Sequence, residues 1–323
     1  ESGMGGSTYA FNITDVANFD ERVYFLHNLM NDGRFNVING DDLIPTLPLE
    51  SWGFGRYGKD VVGDLGKYSG TATPWGTYTG GTFREVCENR TYSLAARKRI
   101  AEICGTDMDP DEYYEFLNAR YDVYRDWALK YYCEAPEKYL WTRWLVPELD
   151  RDYIAAHAVE LTHCFRNAKG ERLVVPGGVE TVKELIARGY KIGIISDLVG
   201  TEEIDQWLDA DGIRDLFATV QQSSVTMLRK PHPAIYYLAM DEMGVWADEC
   251  VFVGDNLTRD IIGAKASGFA GTVAVDYPAT PLKKITAENQ PSCVIKSFPE
   301  LLNVLPGGGV FDPDKAERRG VQE

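Results

Sequence analysis

Four short stretches carry side chains that suit one kind of chemistry. Asn39-Gly40-Asp41-Asp42 follows the run Phe35-Asn36-Val37-Ile38. Ser196-Asp197 follows Lys191-Ile192-Gly193-Ile194-Ile195. Arg229-Lys230-Pro231 comes after a short apolar stretch near Val220, and Gly254-Asp255-Asn256-Leu257-Thr258-Arg259-Asp260 follows Val251-Phe252-Val253. Carboxylates in such a set can hold Mg²⁺, a hard cation that takes oxygen ligands. A lysine and a hydroxyl can hold phosphate oxygens. Together they describe a small, locally positive pocket.

The elements that must position these groups follow from the runs before them. In open parallel sheets, ligands bind at the carboxyl ends of the strands. From Arg172 onward the chain alternates strand and helix. Strands are predicted at Leu173-Val174-Val175, 191–195, 218–220, 250–253 and 271–275. Helices are predicted around 179–186, 204–208, 233–243 and 258–267. This alternation specifies an α/β class, with a parallel sheet covered by helices on both faces.

The rest of the chain has a different texture. Residues 15–31 show helical spacing, with Val16, Phe19, Val23, Leu26, Leu29 and Met30 apolar. Residues 53–82 are rich in Gly, Thr, Tyr and Trp and read as turns and short hairpins. Residues 92–165 read as mostly helical, with Tyr113, Leu117, Tyr121, Tyr124, Ala128 and Tyr131 on one face. Such a stripe is expected to be packed core. Residues 306–323 read as a frayed tail.

Composition limits the partners. The chain has 323 residues, with 33 Lys+Arg against 49 Asp+Glu and a formal net charge of −16. That excludes a chain-wide basic surface for nucleic acid and disfavours docking on anionic membranes. No stretch approaches the roughly 18 apolar residues of a membrane span, and the first residues lack a secretory pattern. The six cysteines are scattered without a C-x-x-C pair, so free core thiols and a cytoplasmic location are expected. The matches to N-x-[ST] at Asn12, Asn89 and Asn256 carry little weight without secretion. A homodimer is compatible with the sequence.

Residues 34–44 and about 172–280 resemble the haloacid dehalogenase-like superfamily of hydrolases. The stretch Val251 to Gly268 is similar to that family's h-h-h-G-D-x-x-x-D motif followed by G-A-x-x-A-G. Lys230-Pro231-His232-Pro233 resembles its lysine motif, and Ile194-Ile195-Ser196 its Ser/Thr motif, in matching order and spacing. The resemblance implies a Rossmann-like three-layer core over residues 1–48 and 172–305. It also implies a mainly helical cap over 49–171, inserted after the first core strand and including the 53–82 stretch. That stretch is expected either as a flap whose Trp52, Tyr57, Trp75 or Tyr78 touches ligand, or as a self-packed loop.

By the same resemblance the protein is a Mg²⁺-dependent phosphohydrolase of a small phosphorylated molecule. The residue at 39 attacks phosphorus and Asp41 acts as general acid/base. Lys230 and Mg²⁺ neutralise the phosphoryl oxygens. Ser196, Asp197, Lys230 and Asn256 bind substrate. Asp255, Asn39 and the Asp41 carbonyl face the metal, and Asp260 either orients Lys230 or binds metal through water.

The first motif departs from the family. D-x-D-x-T is expected, and Asn39-Gly40-Asp41-Asp42-Leu43 stands there, with Asn at the nucleophile position and Leu for Thr. A carboxamide is a far poorer nucleophile than a carboxylate. Three origins stay open for Asn39: an introduced change, a natural departure, or deamidation at Asn-Gly, which an age-dependent mass shift of that peptide would reveal. Two other functions follow: a pseudo-phosphatase that binds a ligand or protein without turnover, and a haloacid dehalogenase.

Plainer roles are available for the same residues. Ser196 and Asp255 could cap turns or helices, Asp260 could answer a helix dipole, and Lys230 could sit on the surface. His232, between two prolines, reads as structural or substrate-adjacent. His157 and His163 read as packed or solvent-facing helix residues.

Overall fold

A computed structural model describes residues 35–39, 59–63, 81–87, 90–277 and 281–322. The chain divides into two compact units, residues 1–69 and 70–323. In the first, β1 (Phe35–Asn39) pairs in parallel with β2 (Lys59–Gly63), and Asn39 stands opposite Gly63. The expected helix over 15–31, Asp41, and Trp52, Tyr57, Trp75 and Tyr78 lie outside the described residues.

The second unit opens with β3 (Arg84–Cys87), followed by a helical layer of α1 (Arg90–Cys104), α2 (Pro110–Tyr131) and α3 (Arg151–Asn167). A short turn, Glu137–Tyr139, and a π-helical segment, Leu140–Leu145, lie between α2 and α3. Helix α2 starts where Asp109 accepts from the Asp111 and Glu112 amides, just before Pro110 at the first turn. Most of its stripe is core: Tyr113, Leu117, Tyr124 and Ala128 are buried with Trp141, Leu161 and Phe165, Tyr121 packs against them partly buried, and Tyr131 is half-buried. The Trp141 indole N–H donates to Thr162 Oγ1 at 2.8 Å, so the largest side chain in this core leaves no polar atom unmet.

After α3 come β4 (Glu171–Val174), α4 (Gly178–Ala187), β5 (Ile192–Ser196), α5 (Glu203–Ala210), β6 (Phe217–Gln222) and α6 (Pro233–Met243). Strands β7 (Val251–Gly254), β8 (Gly271–Val275) and β9 (Cys293–Ile295) and helix α7 (Leu301–Val304) complete the order. β5 and β6 pair in parallel, and β7, β8 and β9 form a parallel sheet. Every residue of β5, β7 and β8 is buried, the pattern of strands covered on both faces.

Alternation along the strands places the two covers. Ile192, Ile194, Val251, Val253, Val273 and Val275 share one core with Val182 and Leu185 of α4, Ile204 and Leu208 of α5, and Leu301 and Val304 of α7. Of the intervening residues, Phe252 lies 5.3 Å from the Tyr236 ring of α6, a Cβ at Gly193 would meet Met243 of α6, and Ala274 packs with Leu257 and Ile261. The class is α/β with a helix–sheet–helix core and a helical layer beside it.

Several expectations change. The strand predicted at 173–175 does not enter a parallel sheet; β4 pairs antiparallel with β3, and Leu173 and Val86 remain about half exposed. A three-residue apolar run cannot distinguish a central strand from a half-solvated one. The helix predicted over 258–267 begins as a π-helical segment, Leu257–Ile262, before Gly263–Ala266. Residues 306–322, expected as a tail, lie along the sheet. Tyr190 Oη donates to Val310 O at 2.6 Å, and Val294 N donates to Glu317 O at 2.8 Å. Cys104, Cys133, Cys164, Cys250 and Cys293 are free and buried. Among the described residues, no helix is long and apolar enough to cross a membrane.

Glu137 joins the helical layer to the loop after β5. Its carboxylate accepts from Thr201 N at 3.1 Å and Thr201 Oγ1 at 3.0 Å. Burial, with Glu202 and Glu203 adding to it, outweighs these bonds and pushes the carboxyl up to about 7. The folded protein therefore holds a proton here that the unfolded chain releases near 4.5, and this group's contribution falls as pH rises from about 4.5 to about 7. Glu137→Gln is expected to remove on the order of 3 kcal/mol of that pH dependence. Unfolding free energies of parent and variant at pH 5 and pH 8 check it; equal pH dependence in the two would show that Glu137 is ionised throughout.

Candidate active site

Ser196, the last residue of β5, is buried at 3% exposure. Asp197 follows it and turns back on the loop before α6, where its Oδ1 accepts from Lys230 N at 2.9 Å. The Lys230 side chain is 2% exposed, and its Nζ donates to Asp260 Oδ1 at 2.6 Å. Asp260 Oδ2 accepts from Asn256 N at 2.9 Å. A buried lysine and a buried aspartate are each costly alone, so each fixes the other's place.

β7 delivers the third part. Gly254 has no side chain because Asp260 fills the space: a Cβ there would lie 2.5 Å from Asp260 Cγ. Asp255 follows. Asn256 caps the next segment, its Oδ1 accepting from Thr258 N at 3.1 Å and Arg259 N at 2.9 Å. The cap considered for Asp255 therefore falls on Asn256.

The structure brings Ser196, Asp197, Lys230, Asn256 and Asp260 into one connected loop cluster. Asp260 accepts from Lys230 Nζ on one oxygen and from Asn256 N on the other. His232 caps α6, its Nδ1 accepting from Ala234 N at 3.2 Å. Asn39 ends β1 in the first unit, and Asp41 is outside the described residues.

Sequence reasoning missed Gly81 and Thr82. Thr82 Oγ1 donates to Asp255 Oδ1 at 3.4 Å, and the Thr82 carbonyl accepts from Tyr277 Oη at 2.7 Å. A Cβ at Gly81 would lie 2.8 Å from Asp255 Cγ. The end of the Gly/Thr-rich stretch thus packs against a site carboxylate. The Gly80-Gly81-Thr82 run, the last turn-forming residues before Phe83-Arg84, was the only local signal.

The electrostatics are balanced and tight. Asp197 Oδ2 is buried without a hydrogen-bond partner and faces Arg229 at 4.0 Å and Arg259 at 3.8 Å. Burial opposes the charge on Arg229, but Glu134 and Asp197 outweigh it and its pKa is raised. Among the described residues, no group of three His, Cys, Asp or Glu side chains stands ready to hold a metal. The donors that are present fit a hard cation nonetheless. Asp255 offers carboxylate oxygens with the Thr82 hydroxyl beside them, and Mg²⁺ needs only one or two carboxylates when water and substrate oxygens complete its shell.

The family model of the haloacid dehalogenase-like hydrolases matches residues 76–268, more than half of the chain. The chain belongs to the haloacid dehalogenase-like hydrolases. Gly81, Thr82, Ser196, Lys230, Asp255 and Asp260 fall inside the stretch matched to that hydrolase family, whereas Asn39 and Asp41 precede it. A glyceraldehyde 3-phosphate phosphatase of Pyrococcus furiosus is 33% identical over 168 residues, 50% of this chain and 67% of the relative. A phosphoglycolate phosphatase of Yersinia pestis is 34% identical over 125 residues, 39% of this chain and 52% of the relative. The chain thus spans about half to two thirds of these relatives. The crystal structure of a 2-haloacid dehalogenase from Pseudomonas syringae pv. tomato DC3000 shares the fold at 20% identity, with a TM-score of 0.53 over 72% of this chain and 98% of that one.

Proposed function

We propose that this hydrolase acts on the phosphate ester of a small metabolite, with Mg²⁺ as cofactor. The observation that carries the reading is the buried Lys230–Asp260 pair, fastened through Asp197 to the loop that begins at Ser196. This pair presents a fixed ammonium at the carboxyl ends of parallel strands, where a phosphoryl group would meet it. Ser196 donates to a phosphoryl oxygen, and Asp197 keeps the Ser196 and Lys230 loops in register. Asp255 holds the metal, which supplies charge neutralisation on the phosphoryl oxygens when bound. The phosphatase relatives at 33–34% identity support the substrate class.

The attacking position in this reading is residue 39, with Asp41 passing the proton. The helices over residues 90–167 serve as the lid that limits water and selects substrate. A second reading, ligand binding without turnover, is favoured by the carboxamide at Asn39.

A panel of phosphate esters, assayed with and without Mg²⁺, compares the parent with Asn39→Asp. The variant is expected to turn over faster by about two or more orders of magnitude, because a carboxylate replaces a carboxamide as nucleophile. Hydrolysis by neither protein would favour the binding reading. Equal, metal-independent activity would move the attacking position away from residue 39.

A further inference from the structure

The loop that carries Lys230 is held from behind by the helical layer. Tyr132 to Glu134, just past α2, run against Met227 to Arg229. Glu134 N donates to Met227 O at 3.0 Å, and Arg229 N donates to Tyr132 O at 2.9 Å. Cys133 and Leu228 form an antiparallel bridge between them. Lys230 is the next residue in the chain.

Glu134 is fully buried at 0% exposure. Its carboxylate accepts from Tyr124 Oη and from Arg229 Nη1. It also accepts from Ser223 Oγ at 2.9 Å, and Ser223 Oγ in turn accepts from Leu198 N at 2.9 Å. One carboxylate of the helical layer therefore grips both loops of the site. Through Arg229 it reaches the residue before Lys230, and through Ser223 it reaches Leu198, two residues after Ser196.

The surroundings show what would happen without that charge. Arg229 would become a buried cation whose remaining carboxylate neighbour is Asp197, with Oδ2 at 4.0 Å and without a hydrogen-bond partner. A buried cation left unpaired is strongly unfavourable, so Arg229 would close that gap. Asp197 would then be drawn away from Lys230 N, which it holds at 2.9 Å. Arg259, at 3.8 Å from the same oxygen, would compete for it.

We propose that Glu134 is a positioning residue for Lys230 and Ser196, holding the phosphoryl-binding loops in register through Arg229 and Ser223. The proposal rests on the reading that Lys230 holds a phosphoryl group. Glu134 touches no substrate; it acts through its neighbours, and it makes the helical layer part of the anion site.

Binding of inorganic phosphate to the full chain, measured by titration calorimetry with Mg²⁺ present, tests it. The variants are Glu134→Gln, the neutral pair Lys230→Gln/Asp260→Asn, and the three changes combined. The neutral pair is expected to weaken phosphate binding at least tenfold, and Glu134→Gln about tenfold, within the usual range of coupling between contacting residues. The combined variant is expected to bind at most about threefold more weakly than the neutral pair, the share carried through Ser223 and Ser196, because the rest of the Glu134 effect runs through Lys230. A purely structural role would give independent, multiplicative losses instead, and that outcome overturns the proposal. Parent-like binding by Glu134→Gln, with the neutral pair impaired, also overturns it while leaving the phosphoryl reading intact. Parent-like binding by the neutral pair overturns that reading and the proposal with it. If Glu134→Gln does not fold, Ser223→Ala, which leaves the Glu134–Arg229 pair in place, is expected to weaken binding about threefold, a shift within the same coupling range; no change overturns the proposal.

Discussion

Replacing Lys230 with methionine is expected to destabilise the protein by about 3–5 kcal/mol, because it strands a buried carboxylate. Asp260 is 1% exposed, and the Lys230 ammonium at 2.6 Å is its counter-charge. Methionine keeps much of the side chain's length but offers no proton and no charge, neither to Asp260 nor to the Phe252 ring, whose centroid the ammonium faces at 5.5 Å. The Asn256 amide remains as a donor to the other oxygen, which is too little for an ionised group out of water. Changing both partners to Lys230→Gln/Asp260→Asn restores a hydrogen bond between neutral groups, and most of the stability is expected to return. Urea unfolding of the three proteins reads this directly. A single variant within about 1 kcal/mol of the parent would mean that Asp260 loses its charge or finds water without cost.

Gly254→Ala is the second large effect, expected to remove about 1–3 kcal/mol of stability. The new methyl would lie 2.5 Å from Asp260 Cγ, closer than a Cβ can approach without a shift. Asp260 is held on both oxygens, so it can yield only by releasing Lys230 or the Asn256 amide. The strand itself is equally constrained, since all four residues of β7 are buried. Gly320→Ala is the control, for a Cβ there meets no atom within 4 Å. Thermal unfolding should separate the two variants by several degrees, as expected for a difference of this size in a chain of this length. Similar melting of both would mean that β7 can shift to admit the methyl.

The lesson about legibility lies in which of these residues a local pattern could show. Ser196, Lys230, Asp255 and Asp260 each follow an apolar run or stand at a fixed distance from one, so periodicity and order were enough to gather them. The doubly covered strands were legible for the same reason. Glu134 was not, because its partners Ser223 and Arg229 are 89 and 95 residues away in sequence. In sequence it is an ordinary acidic residue past a helix end. Gly81 and Thr82 were hidden differently: a Gly/Thr-rich stretch has no period to read, and only the approach to Asp255 reveals why a side chain is missing there. β9 is three residues long, too short for any period, and was passed over. The last residues looked like a tail because they are charged, whereas their backbone groups hold them to the sheet. Composition reports side chains and is silent on where the amides go.

One contact changes how the helical layer should be regarded. Val199, from the loop after β5, is buried in the core of the helices, while Glu137 at their edge is hydrogen-bonded to Thr201 of the same loop. The layer is therefore not an exchangeable module that ends at its own last helix. A chimera that swapped residues 90–167 for the corresponding helices of another hydrolase would arrive with a hole at Val199 and no acceptor for Thr201. The smallest unit that can be transplanted includes residues 197–201 and 227–229. Divergence in the helices would then be expected to go together with divergence in these two loops.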